Sequence, residues 1–191
     1  MPKNLADNLK FSFLILVLLP CFSFSQTENR KLVDSLKFIK EMPYICRDTV
    51  PTNQSIFCVD KIFWRTVKQK KDIIPFLIDK LADTTHTEAN VQNFGGQYVV
   101  ADIAYTALGE IIKGIPTFEL LGVKFDKTGC GYCSYWNYLR SDIQNRIKFQ
   151  SLVRSWYYSN ESNLVWVNSN QFLTCDCMGR QPNGGHLELK K

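Results

Sequence analysis

Histidine is scarce in this chain: there are two, His86 and His186, so few side chains change charge near neutral pH. Neither has the setting of a general base. His86 lies beside Thr85 and Thr87 in a polar stretch and reads as a solvated loop residue. His186 follows Gly184 and Gly185, where turn chemistry accounts for the glycines without a ligand. No G-x-S-x-G elbow, H-E-x-x-H pair or phosphate-binding loop occurs, so no motif names a hydrolytic or nucleotide-dependent reaction. A dense basic stripe is also missing. Formal net charge is +5, from 23 basic and 18 acidic residues, and the basic residues cluster only at Lys68, Lys70 and Lys71. A solvated helix end explains that cluster better than a nucleic-acid site. No apolar run is long enough to span a bilayer: Phe11 to Phe24 is broken by Pro20 and falls short of the ~20 residues required.

What that run does fit is a secretory signal. Lys3 and Lys10 precede it, and Ser23 and Ser25 stand just before Gln26, giving a basic front, an apolar middle and small residues at the cut. The expected organisation is a signal peptide over 1–25 and a single helical domain over 26–191, with a β tail from about 163. The expected location is secreted or periplasmic, with no stable membrane span after cleavage. Leu18-Leu19-Pro20-Cys21 has the outline of a lipoprotein box, but the proline before Cys21 departs from it and argues against a lipid anchor.

Cleavage would also remove Cys21 and leave Cys46, Cys58, Cys130, Cys133, Cys175 and Cys177. An even set in an exported chain points to disulfides, because that compartment is oxidising. A local Cys46–Cys58 bond would close the turn-rich loop between them. Cys130 and Cys133 would join Cys175 and Cys177, or each other, and cross-pairing would pin the tail to the last helices. Each such loop of about 40 residues stabilises by roughly 3–4 kcal/mol in the chain-entropy model. A bond across the single residue between Cys175 and Cys177 would be strained.

Along the chain, Leu32, Leu36 and Ile39 keep helical spacing, with Val33 and Met42 widening the stripe. Asp60 opens a second helix carrying Ile62, Phe63 and Val67. In DIIPFLIDKLAD, Ile74, Leu77, Ile78 and Leu81 share a face, Asp72 is the expected cap, and Pro75 sits in the first turn, where its missing N–H costs little. A polar loop, HTEANVQNFGG, leads to the strongest periodicity, Val100, Ile103, Ala104, Ala107, Leu108 and Ile111, stopped by Gly114 and Pro116. Trp136, Leu139, Ile143 and Ile147, then Phe149, Leu152, Val153 and Trp156, give one or two further helices. LVWVN and FLTC read as strands, NGG as a hairpin turn and HLELK as a closing strand.

KKDIIPFLIDKLAD together with YVVADIAYTALGEIIKG, within 71–114, resembles one HEAT-type repeat unit. That resemblance implies antiparallel helix pairs packed closely over Ala104 and Ala107; an unrelated helix pair fits the same pattern. The expected fold class is therefore mainly α, disulfide-stabilised, with a small C-terminal β hairpin element. Cys130-Gly131-Tyr132-Cys133 resembles the dithiol of thioredoxin-like proteins. The resemblance implies that Cys130 is the nucleophile and Cys133 the resolving thiol. A structural zinc site from Cys130, Cys133, Cys175, Cys177 and His186 is a further alternative to the disulfides.

Asp102 and Glu110 lie two helical turns apart and are expected at the helix's exposed edges rather than as an acid/base pair, with Asp102 against a loop N–H left open as an alternative. The dense tyrosines and tryptophans serve the core first, and Tyr135, Tyr138 and Tyr158 are candidates for a partner surface. The reading that results is an exported, non-enzymatic binding domain for a protein or cell-envelope component, with no cofactor and no nucleic acid, of a size that also fits an inhibitor or immunity protein.

Overall fold

A computed structural model of the chain describes residues 26–42, 60–91, 96–123, 133–170 and 183–190. The proposed signal segment lies outside these residues, as do the FLTC stretch and Cys21, Cys46, Cys58, Cys130, Cys175 and Cys177. Seven helices and four short strands are described: α1 (26–34), α2 (Lys61–Val67), α3 (Ile74–Asp79), β1 (His86–Asn90), β2 (Gln97–Val99), α4 (Val100–Ile111), α5 (Thr117–Leu121), α6 (Cys133–Ser141), α7 (Ile143–Asn160), β3 (Leu164–Asn168) and β4 (Gly185–Leu189). The architecture is mainly helical, with two antiparallel two-stranded sheets, β1 with β2 and β3 with β4.

The centre is α4. Ile103, Ala104, Ala107, Leu108 and Ile111 are fully buried, and only Tyr105 and Gly109 reach partial exposure. A helix apolar on nearly every side must be covered on every side, and α2, α3, α7, β4 and the 3-10 turn Ser35–Phe38 all contribute to one core with it. Small Ala104 and Ala107 allow that close approach. Against its other flank sits an aromatic layer, in which Tyr135 lies 5.4 Å from Tyr105, 5.0 Å from Trp136 and 5.7 Å from Phe149. The centroid separations and tilted rings match the favoured edge-to-face range.

Local chemistry explains several boundaries. Asp60 caps α2 by accepting from the Ile62 and Phe63 N–H groups at 2.7 and 3.2 Å. Asp72 was the cap expected for α3 and does not serve as one: a 3-10 turn, Lys70–Ile73, contains it and precedes the helix, which starts at Ile74 with Pro75 in its first turn. Asp142 caps α7 through the Gln144 N–H, and so divides α6 from α7. That break resets the helical phase. Arg146, Phe149, Val153 and Tyr157 become the buried stripe, while Ile143 and Ile147, expected to pack, are each 44% exposed.

The stretch read as a polar loop contains β1, whose alternate residues Thr87 and Ala89 are buried. Thr87 is satisfied there: its hydroxyl donates to the Tyr98 carbonyl at 2.9 Å. In the tail, LVWVN and HLELK do form strands, but they pair with each other, from Leu164 opposite Leu189 to Asn168 opposite Gly185. NGG leads into β4. Gly185 has no room for a side chain, since a Cβ would collide with the Val167 carbonyl oxygen and the Trp166 ring. The Lys113 N–H donates to the Leu187 carbonyl at 2.8 Å, joining this sheet to the end of α4.

Candidate functional site

Two sets of charged residues organise the described surface and interior, and they differ in depth. The first is buried. Asp102 and Glu110, expected at exposed edges of α4, are both fully buried. Asp102 accepts from the Val99 N–H at 3.2 Å, a bond to the last residue of β2 rather than to a loop, at the start of α4. Its carboxylate also meets Arg146 at 2.9 Å and Arg140 at 3.2 Å. Neither arginine was legible as a partner beforehand, because both come from helices far downstream. Arg146 is 4% exposed, whereas Arg140 reaches the surface with its guanidinium 5.6 Å from the Trp136 ring. A carboxylate engaged by two guanidiniums and a backbone N–H is a fastener between the β2–α4 junction, α6 and α7.

The second set lines an open cleft. Arg30, Val33 and Asp34 of α1 face Phe76, Asp79, Lys80, Ala82 and Asp83, from α3 and the turn after it, with Gln150 of α7 at one end. The hollow is about 510 Å³, and a second of about 250 Å³ shares Val33, Asp34, Lys80 and Asp83 with it. Volumes of this order suit a side-chain cluster or small ligand. Lys80 stands where the two hollows meet, its ammonium 2.8 Å from Asp34 and 3.1 Å from Asp83. Burial alone would lower the Lys80 pKa, but hydrogen bonds and charge from Asp34 and Asp83 outweigh it and hold the ammonium above its ordinary 10.5. Burial likewise opposes ionisation of Asp83, and hydrogen bonds from Thr85 and Lys80 bring its carboxyl below its ordinary 3.8.

Gln150 shapes the end wall. Its side-chain amide donates to the Ile78 and Asp79 carbonyls at 2.9 and 2.7 Å, closing the C-terminus of α3 from another helix. Asp79 pairs with Arg154 at 2.6 Å and stays 63% exposed. The cleft thus has an apolar floor of Val33, Phe76 and Ala82 and a rim carrying both signs of charge. None of Asp34, Lys80, Asp83 or Gln150 was singled out from the sequence. Lys80 and Asp83 have the spacing of a helical ion pair, which was the one legible sign.

The residues that sequence pointed to are scattered. Cys133 opens α6, and its side chain, like the other cysteines, is outside the described residues. Tyr135 is fully buried in the aromatic layer and so leaves the proposed partner surface. Tyr138 is half-buried at the α6–α7 corner, where its carbonyl accepts from Asn145. Tyr158 is 57% exposed, about 20 Å further along α7 at 1.5 Å per residue, so these rings make no contiguous patch. His86 is exposed on β1, while His186 is buried on β4. Among the described residues no group of three or more His, Cys, Asp or Glu is placed to hold a metal ion, and no helix is long and apolar enough to cross a membrane. No family model, curated protein or solved structure matches the chain.

Proposed function

We propose that this chain is an exported, disulfide-stabilised interaction domain that recognises a protein of the cell envelope through the cleft between α1 and α3. The observation that supports this reading most directly is the Asp34–Lys80–Asp83 bridge. It places charges of both signs on a concave, partly apolar surface, where a partner's charged side chains can exchange with the internal pair at small cost. The buried ionisable groups Asp102 and Arg146 are committed to holding helices together, which leaves recognition to the rim.

The test is photo-cross-linking in cells from the Arg30 position of the full chain, with and without Lys80→Glu. A discrete adduct with one envelope protein, lost in Lys80→Glu, is the expected result. Absence of any adduct, or the same adduct in both, would overturn the cleft as the binding site.

The start of α6 at Cys133 supports a second reading. In the sequence Cys130 stands three residues ahead of Cys133, and a helix N-terminus favours a thiolate. Thiol trapping with disulfide mapping separates the two readings. A Cys130–Cys133 pair that reduces first favours a thiol-disulfide enzyme, and bonds from these cysteines to Cys175 and Cys177 favour the interaction domain.

A further inference from the structure

The β3–β4 sheet holds a buried imidazole with nothing to bind. His186 is 4% exposed, and neither Nδ1 nor Nε2 has a hydrogen-bond partner. Such a group normally has one, because an unsatisfied buried polar atom costs about 1–3 kcal/mol. Asn183, at the entry to the same strand, is 5% exposed, and its side-chain oxygen is also without a partner, although its amide donates to the Gly185 carbonyl at 3.1 Å.

Glu188 is the neighbour that gives these atoms a meaning. It lies two positions after His186 on β4, so the two side chains share a face of the strand. Its Oε2 stands 3.6 Å from His186 Nε2. That is too long for a hydrogen bond. Two donors bound to one tetrahedral ion at about 2.1 Å each stand about 3.4 Å apart, close to what is seen. Imidazole nitrogen and carboxylate oxygen are together ligands for zinc and its first-row neighbours.

We propose that His186 and Glu188 form a two-residue chelate for a divalent transition metal such as zinc, with solvent completing the coordination. The site needs no thiolate and is independent of the cleft. Lys113 competes with it, since its ammonium lies 3.6 Å from the same Glu188 oxygen; at 57% exposure it can swing into solvent when a metal arrives.

The test is titration of the oxidised full-length protein, thiols blocked with N-ethylmaleimide, with zinc chloride by calorimetry and with cobalt(II) by visible absorption. One equivalent should bind. Losing a ligand should cost at least the roughly 10- to 100-fold that loss of an outer-sphere partner costs, so His186→Ala and Glu188→Gln should each weaken binding by that much. Lys113→Met should tighten it, an effect that a purely structural role for the strand does not produce. Glu188 and Lys113 are partly exposed, so those two variants keep the test informative even if His186→Ala misfolds. No binding by the wild-type protein, or binding that Glu188→Gln and Lys113→Met leave unchanged, would overturn the site.

Discussion

Asp102 and Asp34 are both aspartates paired with cations, and the molecule uses them in opposite ways. Asp102 is fully buried between Arg146 and Arg140, so its desolvation has been offset by three donors and cannot be recovered without opening the core. Asp34 is 55% exposed and meets a single ammonium, so water can replace Lys80 with little change in free energy. Depth, rather than the kind of bond, decides which pair holds the fold and which can exchange with solvent.

The sharpest way to break the comparison is Asp102→Asn. It leaves Arg146 buried with its charge uncompensated, and unfolding in urea should show a loss of about 3–5 kcal/mol. A loss below about 1 kcal/mol would mean that the buried set behaves like a surface pair. Replacing both partners, Asp102→Leu with Arg146→Met, should recover a large part of that loss. Two apolar groups leave no stranded charge, and Arg140 has its own path to solvent.

How far these differences were legible follows from the range over which each interaction acts. Helix α4 was readable because its period and its stop at Gly114 are local, as was the start of α2 after Asp60. The strand LVWVN was readable from its β-branched and aromatic content. The partners of Asp102 were not, because Arg140 and Arg146 approach it only after α6 and α7 have packed. The same holds for the cleft, where Asp34 meets Lys80 across two elements remote in sequence. The α6–α7 boundary misled for another reason: Ile143 and Ile147 continue the apolar spacing of α6, but the Asp142 cap starts a new helix whose buried stripe runs through Phe149 and Tyr157. Strand β1 was missed because its inward residues, Thr87 and Ala89, are small or polar, and Thr87 is buried only by virtue of its bond to the Tyr98 carbonyl.

Gln150→Ala lies between the two extremes. The amide closes two α3 carbonyls from the wall of the cleft, and its loss should cost about 1 kcal/mol in thermal or chemical unfolding. An effect near that of Asp102→Asn would show that the cleft wall carries the fold. Asp34→Asn, on the open side, should change stability by only about 0.3 kcal/mol while altering the cross-linking yield from Arg30. If it destabilised the fold as much as Gln150→Ala, the rim would be structural and the proposed exchange with a partner would fail.

The smallest expected effect is the pH dependence of Asp83, and its sign is fixed. Its folded carboxyl ionises below the ordinary 3.8, because hydrogen bonds from Thr85 and Lys80 outweigh burial. The stability it contributes is therefore present above that value and is lost as pH falls through the lower folded one. Measured against the wild type, Asp83→Asn should show a constant deficit from neutral pH down to about 4 and a shrinking one in more acidic solution. A deficit that grew with acid would mean that Asp83 is held protonated in the fold, and that the Lys80 clamp is not the ionised bridge on which the cleft depends.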